Sequence, residues 1–159
     1  MIRDKIKNIK QLRTTISHLK SRGRKIVFTN GCFDILHFGH AKYLEEAKNK
    51  GDILVVGVNS DSSIKKIKGD KRPVISEANR LKLIAALGSV DFAVLFKEST
   101  PLNLIKQLKP DILIKGSDWG KKDIVGSDIV SSYGGKVMTV KLVKGLSTTS
   151  LIKKIAKEF

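Results

Sequence analysis

The sequence has a single cysteine, few aromatics and no long apolar run. Cys32 alone excludes an internal disulfide framework. No stretch approaches the roughly 20 apolar residues that a membrane span requires. The opening residues, MIRDKIKNIKQLRTTISHLKSRGRK, lack the apolar centre of a signal peptide. Together these absences point to a reducing cytoplasmic compartment and no membrane partner. Neither the GxxxxGK[ST] nor the GxGxxG phosphate-binding pattern is present. No His/Cys cluster suits a protein-held metal: beyond His37 and His40 only His18 and Cys32 remain, in unsuitable places. Acidic residues are scarce, 15 against 31 Lys+Arg, for a formal charge of +16. A surplus of that size suits a nucleic-acid surface. The lysines, however, are spread over the whole chain, and aromatics at 6% are thin for a stacking platform. The expected partners are therefore small anions, with no nucleic acid among them.

What is present fits one globular domain. The chain has 159 residues, 41% hydrophobic and 29% charged, enough for one sizeable core. Short apolar runs at Lys25–Thr29, Asp52–Val58, Asp91–Phe96, Asp111–Ile114 and Gly135–Val140 read as strands. Helical patterns lie between them at Ala41–Asn49, Glu77–Leu87 and a segment opened by Thr100 as cap and Pro101 as first residue. A last helix is expected over Ser147–Lys157, with Leu151, Ile152 and Ile155 on one face. This alternation predicts an α/β domain: a Rossmann-like, doubly wound, parallel five-stranded sheet with helices on both faces. Its ligands belong outside the carboxyl ends of the strands. Residues 1–23 are expected to form an N-terminal helical extension docked on a domain of residues 24–159.

The chemistry concentrates in Thr29-Asn-Gly-Cys-Phe-Asp-Ile-Leu-His-Phe-Gly-His40, between the first strand and the first helix. Two histidines three apart sit at a helix N-terminus, where free N–H groups and the helix dipole favour an anion. Gly39 lets the backbone approach a phosphate. His37 and His40 can each donate to phosphoryl oxygens. The competing readings are metal ligation and plain surface placement.

GCFDILHFGH resembles the first signature of the nucleotidylyltransferase superfamily, an HxGH after a GTFD-like turn. Gly145-Leu-Ser-Thr-Thr-Ser150 resembles its second signature, an ISTT-type helix start. The segments between them, among them VNSDSSIKKIKGDKRPV, EANR, PDILIKGSDW and GGKV, are similar to the heptose-phosphate adenylyltransferases. The resemblance runs from residue 25 to about 155. It implies an enzyme joining ATP and D-glycero-D-manno-heptose 1-phosphate into ADP-heptose and pyrophosphate. The sugar phosphate attacks the α-phosphate in line, and the product feeds surface-glycan assembly such as lipopolysaccharide. Some members carry a sugar-kinase half for which 159 residues leave no room, so a monofunctional enzyme is expected. Two alternatives stay open: a cytidylyltransferase for glycerol 3-phosphate or a similar phosphorylated alcohol, and a nucleotide- or RNA-binding module.

The resemblance also implies roles. His37 and His40 hold nucleotide phosphates and stabilise the transition state. Asn30, Gly31, Cys32 and Phe33 form the turn against the nucleotide, with Cys32 standing where the GTFD form has threonine. Asp34 is assigned to substrate, with a structural role in the loop as the other reading. Lys68, Lys71 and Arg72 fall in a basic loop after the second strand; Lys71 is assigned to ATP, Lys68 and Arg72 to the sugar phosphate. Lys42 and Arg80 are open between ligand contact and, respectively, solvent and a salt bridge. Gly116 and Asp118 are assigned to the nucleotide, and Trp119 is open between that and loop packing. Ser147, Thr148 and Thr149 cap the last helix and bind phosphate or the adenine edge. The arginine that the cytidylyltransferases place five residues before that serine is replaced by Leu142, with Lys141 and Lys144 as possible stand-ins. Mg²⁺ is expected through the nucleotide phosphates, and a homodimer is common in the superfamily.

Overall fold

The computed structural model describes residues 1–158. Two helices open the chain, α1 (Ile2–Lys5) and α2 (Ile9–Ser21). Then follow β1 (Ile26–Gly31), α3 (Phe38–Lys48), β2 (Ile53–Asn59), α4 (Asp61–Lys68), α5 (Glu77–Ala86) and β3 (Phe92–Phe96). The second half contains α6 (Leu102–Leu108), β4 (Ile112–Gly116), a 3-10 turn (Lys121–Asp123), α7 (Ser127–Ser132), β5 (Lys136–Val140) and α8 (Thr148–Glu158).

The five strands form one all-parallel sheet in the order β3-β2-β1-β4-β5. Strand order reverses between β1 and β4, and the doubly wound arrangement is the one expected. Every residue of β2 is buried, as a strand covered on both faces requires. The alternation of β1 divides the core. Val27 points to the face covered by α3 and α5, with Leu44, Ala47, Ile84 and Ala85. Ile26 and Phe28 point to the face covered by α2, α6 and α7, with Leu12, Ile16, Leu104, Ile105 and Val130. The N-terminal helices are therefore docked through the core: Leu12 is fully buried. Between them, Lys7 donates its backbone N–H to the Ala93 carbonyl, and Ile6 bridges to Ala93 on the outer edge of β3.

Three local expectations are corrected. Asp61–Lys68 is a helix, capped by the Ser60 hydroxyl accepting from the Ser63 N–H. Its composition hides it, because only Ile64 and Ile67 mark an apolar face. Pro101 occupies the cap position of α6, one place earlier than expected, and no side chain caps that helix. The six-residue α7 was not anticipated; it begins after Gly126, whose φ of 86° suits glycine.

One departure from regularity makes the site. β1 pairs with β2 along its whole length, to Gly31 opposite Val58. Its pairing with β4 stops at Phe28 opposite Leu113, although both strands continue. Beyond that point the two strands splay. Backbone carbonyls freed in a buried place need new donors. The Ile114 carbonyl accepts from the Thr29 hydroxyl at 2.9 Å and from the Tyr43 hydroxyl at 3.3 Å. Burial and the surroundings push the Tyr43 phenol well above its ordinary range, so it stays a donor.

Candidate functional site

The splay opens into a cavity of about 550 Å³ at the carboxyl ends of the strands. Asn30, Gly31, Cys32 and Phe33 enter it from β1, and Phe33 holds a left-handed φ of 47°. The turn is fixed from below by Arg80, which is fully buried on α5. Its guanidinium donates to the carbonyls of Cys32 (2.6 Å), Asn59 (2.8 Å) and Ile75 (2.8 Å) and to the Asp61 carboxylate (2.7 Å). The salt-bridge reading of Arg80 is the one the geometry bears out.

His37 caps α3 and His40 lies one turn in. Their rings stack, with centroids 3.8 Å apart and planes 20° from parallel. The Phe33 ring meets His40 edge-on at 5.4 Å. His40 Nδ1 accepts from the His37 backbone N–H at 3.4 Å, so a neutral His40 carries its proton on Nε2. Burial, with His37 and Lys68 nearby, pushes His40 down to about 4. Burial also lowers His37. Both rings are therefore neutral donors near pH 7. A Cβ on Gly39 would lie 3.0 Å from the His37 ring, so the stack requires glycine there.

Asp34 belongs to the cavity lining, but it is 1% exposed and its carboxylate is fully engaged. It accepts from Arg72 Nε at 2.7 Å and from the backbone N–H groups of Val74 (2.9 Å) and Ile75 (2.8 Å). Its oxygens are used in holding the 72–75 segment, the structural role that the sequence left open beside the substrate assignment. Arg72 lines the cavity and is aimed by Asp34, leaving a buried Nη2 with no partner. Lys68 also lines the cavity, from the last residue of α4 and not from a loop. Lys71 is exposed and lies outside the lining. Lys42 sits on the surface beside Glu45 (3.5 Å) and Glu46 (3.8 Å).

The opposite wall comes from the ends of β4 and β5 and from α8. A Cβ on Gly116 would lie 2.5 Å from Asp118 Oδ1 and 3.1 Å from Leu142 Cδ2. Glycine there lets both side chains close over the strand end. Trp119 stands half-exposed on the rim. Ser147 alone caps α8, its hydroxyl accepting from the Ser150 N–H at 3.0 Å. Thr148 and Thr149 form the first turn and line the cavity with it. Leu142 and Val143 make an apolar patch, and neither Lys141 nor Lys144 belongs to the lining.

Sequence reasoning missed Lys115, Asn59 and Ser99–Pro101, all of which line the cavity. For Lys115 a signal existed: a lone cation interrupting the apolar run of a central parallel strand, just before its carboxyl end. Among the described residues, three buried side-chain atoms lack a hydrogen-bond partner: Asn30 Oδ1, His37 Nδ1 and Arg72 Nη2. All three residues line this cavity. Orphaned buried polar atoms gathered in one place mark groups arranged for a ligand.

A doubly wound sheet with histidines at a helix N-terminus, cations and orphaned polar atoms around its switch point makes an α/β site suited to a phosphorylated ligand. The cytidylyltransferase-like family model matches residues 28–155. The chain belongs to the cytidylyltransferase-like family. It is 54% identical over 98% of its length to "Bifunctional protein HldE" of Geobacter metallireducens, and 50% identical over the same share to that of Geobacter sulfurreducens. It spans 32% of the length of these relatives. Among solved structures it is similar to the lipopolysaccharide core biosynthesis protein from Thermoplasma volcanium GSS1, at TM-score 0.63 and 36% identity, covering 77% of this chain and 98% of that one. Pantoate-beta-alanine ligase from Francisella tularensis shares the fold at TM-score 0.63 and 17% identity, over 97% of this chain and 79% of that one. Among the described residues, no helix is long and apolar enough to cross a membrane.

Proposed function

We propose that the chain is an adenylyltransferase that makes ADP-heptose and pyrophosphate from ATP and D-glycero-D-manno-heptose 1-phosphate. The observation that carries the reaction class is the meeting of both signature segments around one cavity. His37 and His40 stand at one helix N-terminus, Thr148 and Thr149 at another, and the splayed β1/β4 crevice lies between. Two helix N-termini and the cations Lys68 and Arg72 suit a nucleotide triphosphate together with a second phosphate. The acceptor rests on sequence: the heptose-phosphate adenylyltransferase resemblance and the HldE identity fall on the same branch.

No covalent nucleophile is needed. A phosphate oxygen of the sugar attacks the α-phosphorus in line, the bond from that phosphorus to the β-phosphate oxygen breaks, and pyrophosphate leaves. The neutral His37 and His40 donate N–H groups where negative charge develops. Arg72, held by Asp34, and Lys68 receive the sugar phosphate. Leu142, Val143 and the rim Trp119 offer the base an apolar slot. Mg²⁺ belongs to the substrate as MgATP, bound through phosphates and water. A homodimer and a cytoplasmic location complete the reading.

The test is pyrophosphate release over four nucleoside triphosphates, a panel of sugar 1-phosphates and glycerol 3-phosphate. ATP with the heptose 1-phosphate should give the highest kcat/KM. Equal or better turnover of CTP with glycerol 3-phosphate would move the chain to the cytidylyltransferase branch. Salt-sensitive RNA binding without pyrophosphate release would make it a binding module.

A further inference from the structure

Lys115 is the one cavity residue whose environment demands a ligand and whose part in the chemistry is unassigned. It is the fourth residue of β4, opposite Thr139 of β5. Its side chain turns into the splay between β1 and β4. There Nζ donates to the Asn30 carbonyl at 3.3 Å, the only hydrogen bond of that ammonium among the described residues. An ammonium has three donors, so two point elsewhere. No carboxylate pairs with it among the described residues, whereas Lys20, Lys42 and Lys48 each have one. A desolvated cation with no carboxylate at ion-pair distance is costly. Proteins keep such a group where an anion completes it.

The place of the group narrows the anion. Lys115 lies where strand order reverses, between the histidine-bearing N-terminus of α3 on one side and Gly116, Asp118 and α8 on the other. With its base in the proposed slot of Leu142, Val143 and Trp119, a nucleotide laid across that crevice would carry its outer phosphates toward α3. The group that passes the β1/β4 gap is then the first phosphate. Resting on the adenylyltransferase reading, we propose that Lys115 receives the α-phosphate of the bound nucleotide and stabilises charge on that phosphorus during transfer.

This assignment has a thermodynamic signature. Burial pushes the Lys115 ammonium down to about 8, against smaller opposing effects of the Cys32 thiol and the Asp118 carboxylate. Those are the titratable groups facing it: Cys32 from the turn after β1 and Asp118 from the segment after β4. From α3, Tyr43 stays protonated. A bound phosphate favours the charged lysine, so binding at pH 8 draws in a proton. The uptake approaches about half a proton, since half the free sites are neutral at that pH. Above pH 8, nucleotide affinity falls toward tenfold per pH unit.

The experiment titrates MgATP, without acceptor, into the full chain at pH 8 in buffers of different ionisation enthalpy. Wild type should show the uptake, Lys115→Met should lose it, and Lys115→Arg should bind with no titration near pH 8. Turnover of Lys115→Met should drop on the order of 10²–10³-fold. Uptake at His37 or His40 is common to all three proteins and cancels. Should Lys115→Met fail to fold, the comparison of wild type with Lys115→Arg across pH 7 to 10 decides: a falling against a flat affinity supports the proposal. Equal uptake and turnover in wild type and variants overturns it and leaves the adenylyltransferase reading standing; Lys115 then only satisfies the Asn30 carbonyl. If another nucleoside triphosphate binds in place of ATP, the base choice fails, and Lys115 is tested with that nucleotide, which shares the α-phosphate. If none binds, both fall.

Discussion

Replacing Asp34 by Asn separates a carboxylate that touches substrate from one that positions another residue. The side chain is 1% exposed and accepts from Arg72 Nε and from the N–H groups of Val74 and Ile75. Asparagine keeps the shape but offers one oxygen, and its NH₂ confronts at least one of these donors. Each hydrogen bond to a charged group contributes about 1.5–3 kcal/mol. Breaking a buried ion pair costs about 3–5 kcal/mol. The Arg72 side chain retains 14% exposure, which gives its charge some water, so the lower figure applies: a loss of about 3 kcal/mol at pH 7. Urea denaturation followed by circular dichroism reads it. On an Arg72→Met background the same change should cost less, because its main partner is already gone. The KM for the sugar phosphate should rise while that for ATP stays near wild type, since Arg72 loses its aim. The acid limb supplies a second reading. Burial alone would raise the Asp34 carboxyl, but the N–H groups of Ile75 and Val74 and the Arg72 guanidinium outweigh it and hold it below 3.8. A depressed folded value means stability present above the ordinary carboxylate range and lost as pH falls below about 4. Asp34→Asn should lack that loss. A variant as stable as wild type yet devoid of activity would refute the reasoning and return Asp34 to the substrate.

His37→Ala and His40→Ala should each lower turnover on the order of 10²–10³-fold, with melting temperatures near wild type; retention of more than roughly a tenth of the activity in either would remove the phosphate-stabilising role. Lys68→Ala should raise the KM for the sugar phosphate, whereas the exposed Lys71→Ala should match wild type for both substrates; steady-state kinetics with each substrate varied decides, and a weakened ATP response in Lys71→Ala would mean that the loop closes over the nucleotide. His40 supplies a pH effect of the same sign as Asp34 in a higher window. Its folded value of about 4 lies below the ordinary 6.5, so the unfolded chain takes up the proton first, and stability should decline as pH falls from about 6.5 to 4. His40→Gln should flatten that stretch of a stability–pH curve, and an unchanged slope would show the ring to be hydrated and not buried.

The sheet was legible because parallel strands buried on both faces leave long apolar runs, as Ile53–Val58 does, and the helices between them leave capping and periodicity. The short elements were not. In α4 the lysines at 65 and 66 face solvent, Lys68 stands exposed at the cavity, and only Ile64 is buried among its apolar residues, so little hydrophobic period exists to detect. The helix stands on a cap and on two neighbours. The Asp61 N–H donates to Glu77 and the Asp61 carboxylate receives Arg80. These contacts span 16 and 19 residues, beyond any local window.

The site divides along the same line. The gathering of His37, His40, Gly116 and Thr148 around one cavity was readable because each stands at a strand end or helix start, and position follows from the element pattern. The hold of Asp34 on Arg72 was not readable because that partner lies 38 residues away. An aspartate after a glycine turn looks the same whether it meets a sugar hydroxyl or the Nε of Arg72. The outward place of Lys71 was hidden for a related reason. In a run of three charged residues, Asp70-Lys71-Arg72, only the one that Asp34 captures turns inward, and the others stay in solvent. Lys115 was given no role because the fourth strand was expected to end at Ile114, whereas β4 runs on to Gly116. Here β1 and β5 flank it, so the side chain has no route to bulk water except through the splay. The gap that frees the Ile114 and Asn30 carbonyls is the same gap that admits a nucleotide. Thr29, Tyr43 and Lys115 keep it open and satisfied when empty, and of the three only the lysine carries a charge that an incoming phosphate can use.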